Sequence, residues 1–331
     1  MLLKRLLWAL PTLAGVLLVV FVLLRLAPGD PIAMMIGPGA TADDIRQLRV
    51  LYGLDRSVPA QFAIYAKDAV TGNLGKSISL KQSVTELVAQ RLPVTLELSV
   101  VALLLAVSAG GAAALAAVYW RGQPIEKVVD AITGIVTAIP DFLWALAGIL
   151  FLGVLLPILP VFGLMDSELR FESASGFVLA EALLRGRVDV VLSVLHHLLL
   201  PAVALALPLA AMISRVLKAS LVEALAQDYI LIARVKGFSR WHVIVREALR
   251  NALLPALTLT GVQFTFLIGG TVLIERIFGL PGLGNMAIDA VINRDLPLIQ
   301  GIVLTFAFIF IVVNLLIDLL NVWLNPRLRT R

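Results

Sequence analysis

A few side chains in this sequence have the types and spacing that could do chemistry. Gly75-Lys76-Ser77 has the ending of a phosphate-binding loop, where backbone amides cradle phosphates and the lysine reaches the terminal groups. That pattern also needs a glycine five residues before Gly75, and Val70 stands there. No nucleotide site is expected there, and no other segment offers one. His196 and His197 are adjacent and point to different sides of a helix, whereas metal ligands on one helix need i, i+3 or i, i+4 spacing. His242 falls on the opposite side of the membrane in the topology below, so the histidines read as packing or interfacial residues. The chain has no cysteine, which removes disulfides, thiolate zinc sites and thiol redox chemistry. No Ser/His/Asp or paired-carboxylate set is expected to be brought together by the topology. The expectation is a non-enzyme with no catalytic centre, metal or cofactor.

Charges inside apolar stretches carry more information, because a charge at membrane depth is expensive and often functional. Asp141, Glu275 and Asp318 are the candidates for translocation, gating or interface roles. Asn314, Asp318 and Asn321 share a helix face, as an ion path would need. However, Asp318 lies near the end of its run, within reach of Arg327 or Arg215, which favours an interface role. Glu275 reads as an outer-rim residue.

The richest segment is DYILIARVKGFSRWHVIVREALRNALLPAL, Asp228 to Leu257, a basic island in an apolar chain. Good helix formers run on from Arg215 and Lys218 to Gly237, which tolerates the left-handed backbone of a helix C-terminus. Ser239 can cap a second helix that climbs to Pro255. The result is a helix–glycine–helix elbow carrying Leu231, Ile232, Val235, Phe238 and Trp241 beside basic residues. Such a stripe suits a helix seated in a partner's groove; a plain topology-fixing loop would be shorter. Gly237 makes the turn and Ala233 permits close approach. Asp228 opens the elbow, and Tyr229, Arg234 and Lys236 are candidates to face the partner.

These residues must be positioned by membrane helices. Of 331 residues, 60% are hydrophobic and 15% charged, with a mean hydropathy of +0.97. A soluble domain is nearer half apolar and a quarter charged, so the excess faces lipid. A bilayer core needs about 20 apolar residues per helix. Six runs qualify: Leu6–Leu24, Leu98–Trp120, Ala131–Leu156, Val194–Ile213, Ala252–Ile274 and Gly301–Leu324. Pro140, followed by Asp141, should kink the third. The first run reads as an uncleaved anchor, being long for a signal peptide and lacking a small-x-small cleavage site.

With both ends cytoplasmic, segments 1–5, 121–130, 215–250 and 325–331 hold 14 of the 27 Lys and Arg residues. That density fixes an N-in, C-in orientation. The domain reading is an N-terminal transmembrane helix (1–27), an extracytoplasmic helical segment (28–95), a transmembrane domain (96–324) containing the elbow (215–250), and a cytoplasmic tail (325–331). In the external segment, PGDP at 28–31 ends the first helix. An amphipathic helix follows with Thr41 as its cap and Ile45, Leu48 and Leu51 on one face, then a second helix over 59–70. The fold class is all-α and polytopic, with a small external helical cap.

The island resembles the cytoplasmic EAA-type loop of ABC-importer permeases, its Gly237 and Leu254-Pro255 matching the glycine and later Leu-Pro of that loop. Ile232-Ala233-Arg234 replaces the Glu-Ala-Ala stretch, and the Gly-to-Pro interval is longer by about one helical turn. In both respects it is similar to the dipeptide/oligopeptide branch, whose usual form is DY…AR.KG…ALRNALLP. YGLD at 52–55, GNLGKS at 72–77, RLPVTLEL at 91–98, IPDF at 139–142, ERIFGLPGLG at 275–284, NRDLPLIQG at 293–301 and NPRLR at 325–329 carry the same resemblance. The long first external segment resembles the B-type permease of these systems more than its partner subunit.

The resemblance implies a type I ABC importer permease fold in the bacterial inner membrane. It also implies a second permease subunit, two ATP-binding subunits and an extracytoplasmic substrate-binding protein as partners. ATP hydrolysis would lie on the partners and alternating access in the membrane helices. Nucleic acid is not an expected partner. The cargo stays open among dipeptides, oligopeptides, glutathione, nickel and metal chelates. The alternative class is an ion-coupled secondary transporter using the Asn314/Asp318/Asn321 face.

Overall fold

The computed structural model describes residues 11–22, 43 and 55–324, without side chains at 318 and 320–324. The PGDP turn, the amphipathic helix from Thr41, the flanks of the first apolar run, Arg327 and the tail lie outside the described residues, as do the side chains of Asp318 and Asn321. Among the described residues the architecture is all-helical, and the one β feature is an isolated bridge between Lys76 and Ser83.

In chain order the helices are α1 (Pro11–Val22), α2 (Val58–Val70), α3 (Val84–Tyr119), α4 (Pro124–Ala138) and α5 (Asp141–Leu155). They continue with α6 (Val178–Leu184), α7 (Val188–Leu225), α8 (Asp228–Val235), α9 (Arg240–Phe278), α10 (Leu283–Ile292) and α11 (Leu296–Leu324). Four of them, α3, α7, α9 and α11, are long and apolar enough to cross a membrane, and α4 with α5 could form a fifth, bent span. The described part of the first run, α1, is helical but shorter.

Two sequence expectations need correction. Pro140 does more than kink the third run: α4 and α5 meet at 100°. Ile139 (φ −102°, ψ 125°) and Pro140 (ψ 150°) are both extended, because a residue preceding proline is pushed out of the helical region. The fourth run does not continue unbroken to Gly237. It stops at Ala226, and Gln227 is extended (ψ 152°) before α8 starts afresh. Pro255, by contrast, is carried inside continuous helix, and π-helical turns at Ile149–Leu155 and Val243–Ala248 interrupt the regular ladder.

The chain forms two compact units, one of 1–92 and 285–311, the other of 93–284 and 312–331. In the first unit the side chain of Asp295 is fully buried. It accepts hydrogen bonds from the Ser77 hydroxyl (2.5 Å), the Ser79 amide (2.9 Å), the Ser79 hydroxyl (2.7 Å) and the Leu298 amide (3.2 Å). It thus ties the 75–80 loop to the start of α11.

The second unit is organised around α7, whose buried face runs from Val190 to Ala224. One apolar cluster joins this helix to α3, α5, α6 and the far end of α9. A second cluster joins Ala114 and Val118 of α3, Leu217 and Leu221 of α7, and the elbow residues Ile230, Ala233, Val243 and Ile244. The basic residues leading to the island are engaged as well. Lys218 reaches Glu126 (2.8 Å) and Asp130 (2.7 Å) of α4, and Arg215 donates to the Thr137 hydroxyl at 3.5 Å.

Candidate functional site: a helix–glycine–helix elbow

The elbow is built by three local choices. Asp228 sits in the first turn of α8 and Arg234 in its last, the charge order that suits a helix dipole. Gly237 has φ +78° with nothing near its missing side chain, so a left-handed backbone is the reason for glycine. Ser239 is extended and its hydroxyl accepts the His242 amide at 3.3 Å, capping α9.

The eight residues of α8 divide by face. Ile230 and Ala233 are buried against α3, α7 and α9, holding the elbow on the helix ends. Ala233 is buried in that cluster, so a larger side chain there would have to displace its neighbours. Leu231, Ile232 and Val235 (81% exposed) point outward, with Arg234 and Lys236 exposed among them, while the partly exposed Phe238 stacks on His242. Tyr229 is half-buried and its hydroxyl accepts from Asn251 Nδ2 at 2.9 Å. Of the six elbow residues picked out from sequence, Asp228, Arg234, Lys236 and Gly237 are thus exposed, Ala233 is buried, and Tyr229 braces α8 to α9.

Elsewhere in the same unit, Asp141 opens α5 and is half-buried, its Oδ1 accepting the Phe142 amide at 2.7 Å. A side chain at Gly270 would come within 3.1 Å of Asp141 Oδ2, so this carboxylate lies against the backbone of α9. Glu275 is fully buried and accepts the Thr95 hydroxyl at 2.6 Å, while Thr95 Oγ1 in turn accepts the Leu283 amide at 2.8 Å. The carboxyl group fills the space that side chains at Gly282 and Gly284 would occupy. The side chain of Asp318 is outside the described residues, and Asn314 is half-buried.

The Gly75-Lys76-Ser77 segment holds its serine on a carboxylate, Asp295, an arrangement that repels phosphate. Contrary to expectation, one Ser/His/Asp set does assemble, because the loop after α5 folds back on α7. The Ser193 hydroxyl donates to Asp166 (2.7 Å), and His197 Nδ1 contacts the Ser193 carbonyl (2.9 Å). His197 Nε2 lies 3.9 Å from Asp166. The serine proton is directed at the carboxylate and the imidazole at a backbone carbonyl, so this set is a brace for the loop. Nothing in the spacing of these three residues along the sequence signals it. No group able to hold a metal is found among the described residues.

Comparison with known proteins adds three findings. Residues 99–330 match the family described as "Binding-protein-dependent transport system inner membrane component", and residues 1–99 match its N-terminal companion. A di/tripeptide transport system permease protein of Pseudomonas aeruginosa is 37% identical over 98% of this chain and 97% of its own. A glutathione transport system permease protein of Escherichia coli is 35% identical over 98% and 97%. Among solved structures, a chain of a methionine ABC transporter in an inward-facing conformation aligns with TM-score 0.56 at 16% identity, covering 72% of this chain and 96% of that one. The last shows a shared fold.

Proposed function

We propose a function that proceeds from one premise: the chain belongs to the family of inner membrane components of binding-protein-dependent transport systems. It is an integral membrane permease, and its cargo is a dipeptide, an oligopeptide or a similar small solute. The di/tripeptide and glutathione relatives, each matched over 97% of its length, support that cargo class.

It works with an extracytoplasmic binding protein and ATP-hydrolysing subunits, and pairs with a second permease chain across the pathway. Hydrolysis takes place on the ATP-binding partners, and both ends of this chain are cytoplasmic, as the Lys and Arg density argues. Six spans, the first containing α1, make up the membrane part.

The observation that carries the mechanism is the division of α8 into a buried face, Ile230 and Ala233, and an outward apolar row. Leaving Leu231, Ile232 and Val235 in water forgoes about 1.5–3 kcal/mol each relative to full burial, which a groove on an ATPase subunit would recover. The inner face passes movement of α8 to α3, α7 and α9. Only a groove that contacts the elbow differently in the two ATPase states can shift the membrane helices.

Gly237→Pro and Ala233→Leu test this. Proline demands φ near −65° where the chain has +78°, and leucine at 233 lifts α8 from its seat. Each should abolish solute-stimulated ATP hydrolysis and uptake while the chain still inserts in the membrane. Normal uptake by both variants overturns the assignment. Uptake by the unmodified chain alone, in liposomes without any ATPase, would instead favour an ion-coupled carrier.

A further inference from the structure

The elbow encloses a cavity of about 510 Å³ whose lining includes Arg121, Arg234 and Arg240 and no carboxylate. The remaining walls are apolar, among them Val118, Leu225 and Phe238. Arg240 is held in place on two sides: it donates to the Val118 carbonyl at 3.3 Å, and its guanidinium lies 5.5 Å from the centre of the Tyr119 ring. Its other N–H groups are left to a ligand. No ion pair within 4 Å engages the three arginines among the described residues. Arg121 feels Glu126, but that carboxylate is itself bound by the Gly122 amide and Lys218.

Three arginines lining a semi-enclosed space with no carboxylate among them call for a group with several anionic oxygens. Its setting narrows the source. Tyr119 packs edge-on against both Trp120 and Trp241, and the two tryptophans are partly exposed. Trp and Tyr concentrate at the membrane–water boundary, and basic pockets between membrane helices on the cytoplasmic side take anionic head groups. We propose that this cavity binds the phosphate of an anionic phospholipid of the cytoplasmic leaflet, with its glycerol portion against the apolar wall. The proposal rests on the reading of this end as the cytoplasmic coupling elbow. Because Arg234 belongs to α8, the bound lipid touches the moving part.

The test uses the full chain with its co-purifying subunits, extracted from membranes containing phosphatidylglycerol and exchanged into neutral detergent. Native mass spectrometry then reads lipid retained on this chain. The unmodified chain should keep phosphatidylglycerol through an excess of phosphatidylcholine. Arg121→Gln with Arg240→Gln should lower retention roughly twenty-five-fold, from roughly fivefold per basic residue lost at an anionic surface. Arg121→Lys with Arg240→Lys should keep most of it, which separates charge from damage to the fold.

Unchanged retention in the glutamine double variant overturns the proposal. Displacement of the lipid by glycerol phosphate at equal concentration also overturns it, in favour of a soluble phosphate ligand. Loss of the ATPase subunits with lipid still bound would assign the arginines to an acidic patch on that partner. The lipid readout does not require any ATPase to co-purify, so failure of the functional reading would be seen separately.

Discussion

Of the glycine turns that join helices among the described residues, two use glycine for opposite reasons. At Gly237 the backbone is left-handed, space is empty, and apolar side chains on either side face outward. In the turn from Gly279 to Gly284 the backbone is left-handed at Gly279, but the other two glycines are required for room. A side chain at Gly282 would come within 2.2 Å of the Glu275 carboxyl, and one at Gly284 within 2.6 Å of the Val272 backbone. The buried turn has satisfied its polar groups internally, through Glu275, Thr95 and the Leu283 amide. The elbow has left its needs to be met from outside. One turn is a lock and the other an adaptor, and the environment of each glycine tells them apart where sequence alone could not.

Substitutions can break or sharpen that contrast. Gly284→Val should have the largest effect, because the clash is with backbone that cannot turn aside; a cost of about 3 kcal/mol or more should appear as loss of folded chain in detergent extracts. Gly237→Ala should cost about 1–2 kcal/mol for a left-handed alanine and leave extraction nearly normal. If it proves as damaging as Gly284→Val, the two turns are not different in kind. Ser239→Ala removes the cap on His242 and should cost about 1 kcal/mol, read as faster amide exchange over 240–243.

The smallest effect concerns the first unit. Burial pushes the Asp295 carboxyl up, but hydrogen bonds from Ser77 and Ser79 outweigh it and leave the group below its ordinary value. The tie therefore contributes fully above the usual aspartate value of about 3.9, and is lost as pH falls through the lower folded value. Opening of the 75–80 loop, read from amide exchange corrected for its intrinsic pH dependence, should be flat from neutral pH to about 5 and rise in stronger acid. A rise already near neutrality would contradict that assignment.

Much of this was legible in the chain. Long apolar runs announced the spanning helices, since lipid leaves the backbone no other partner than itself. Gly237 and Ser239 announced the turn and cap, because each is a local backbone requirement. What stayed hidden depends on contacts between distant segments. The seating of Glu275 among Gly282, Gly284 and Thr95 needs two chain segments brought together. So does the Asp166–Ser193–His197 brace, which the expected topology argued against. The break at Gln227 was hidden for another reason: nothing in LAQDYI forbids helix, and the chain turns there so that Ile230 and Ala233 meet α3 and α9.

One last feature is the length of α7. Its 38 residues run without an assigned break, about 57 Å at 1.5 Å per residue, against a hydrocarbon layer of about 30 Å. Such a beam magnifies angle into distance: a tilt of about 10° carries one tip about 10 Å relative to the other. It ends at Ala226, immediately before the elbow, while Asp166 and Ser193 brace the opposite tip. A tilt imposed at one membrane surface would therefore arrive at the other as a movement of several ångströms, with Pro201 and Pro208 the points along the beam where it can bend.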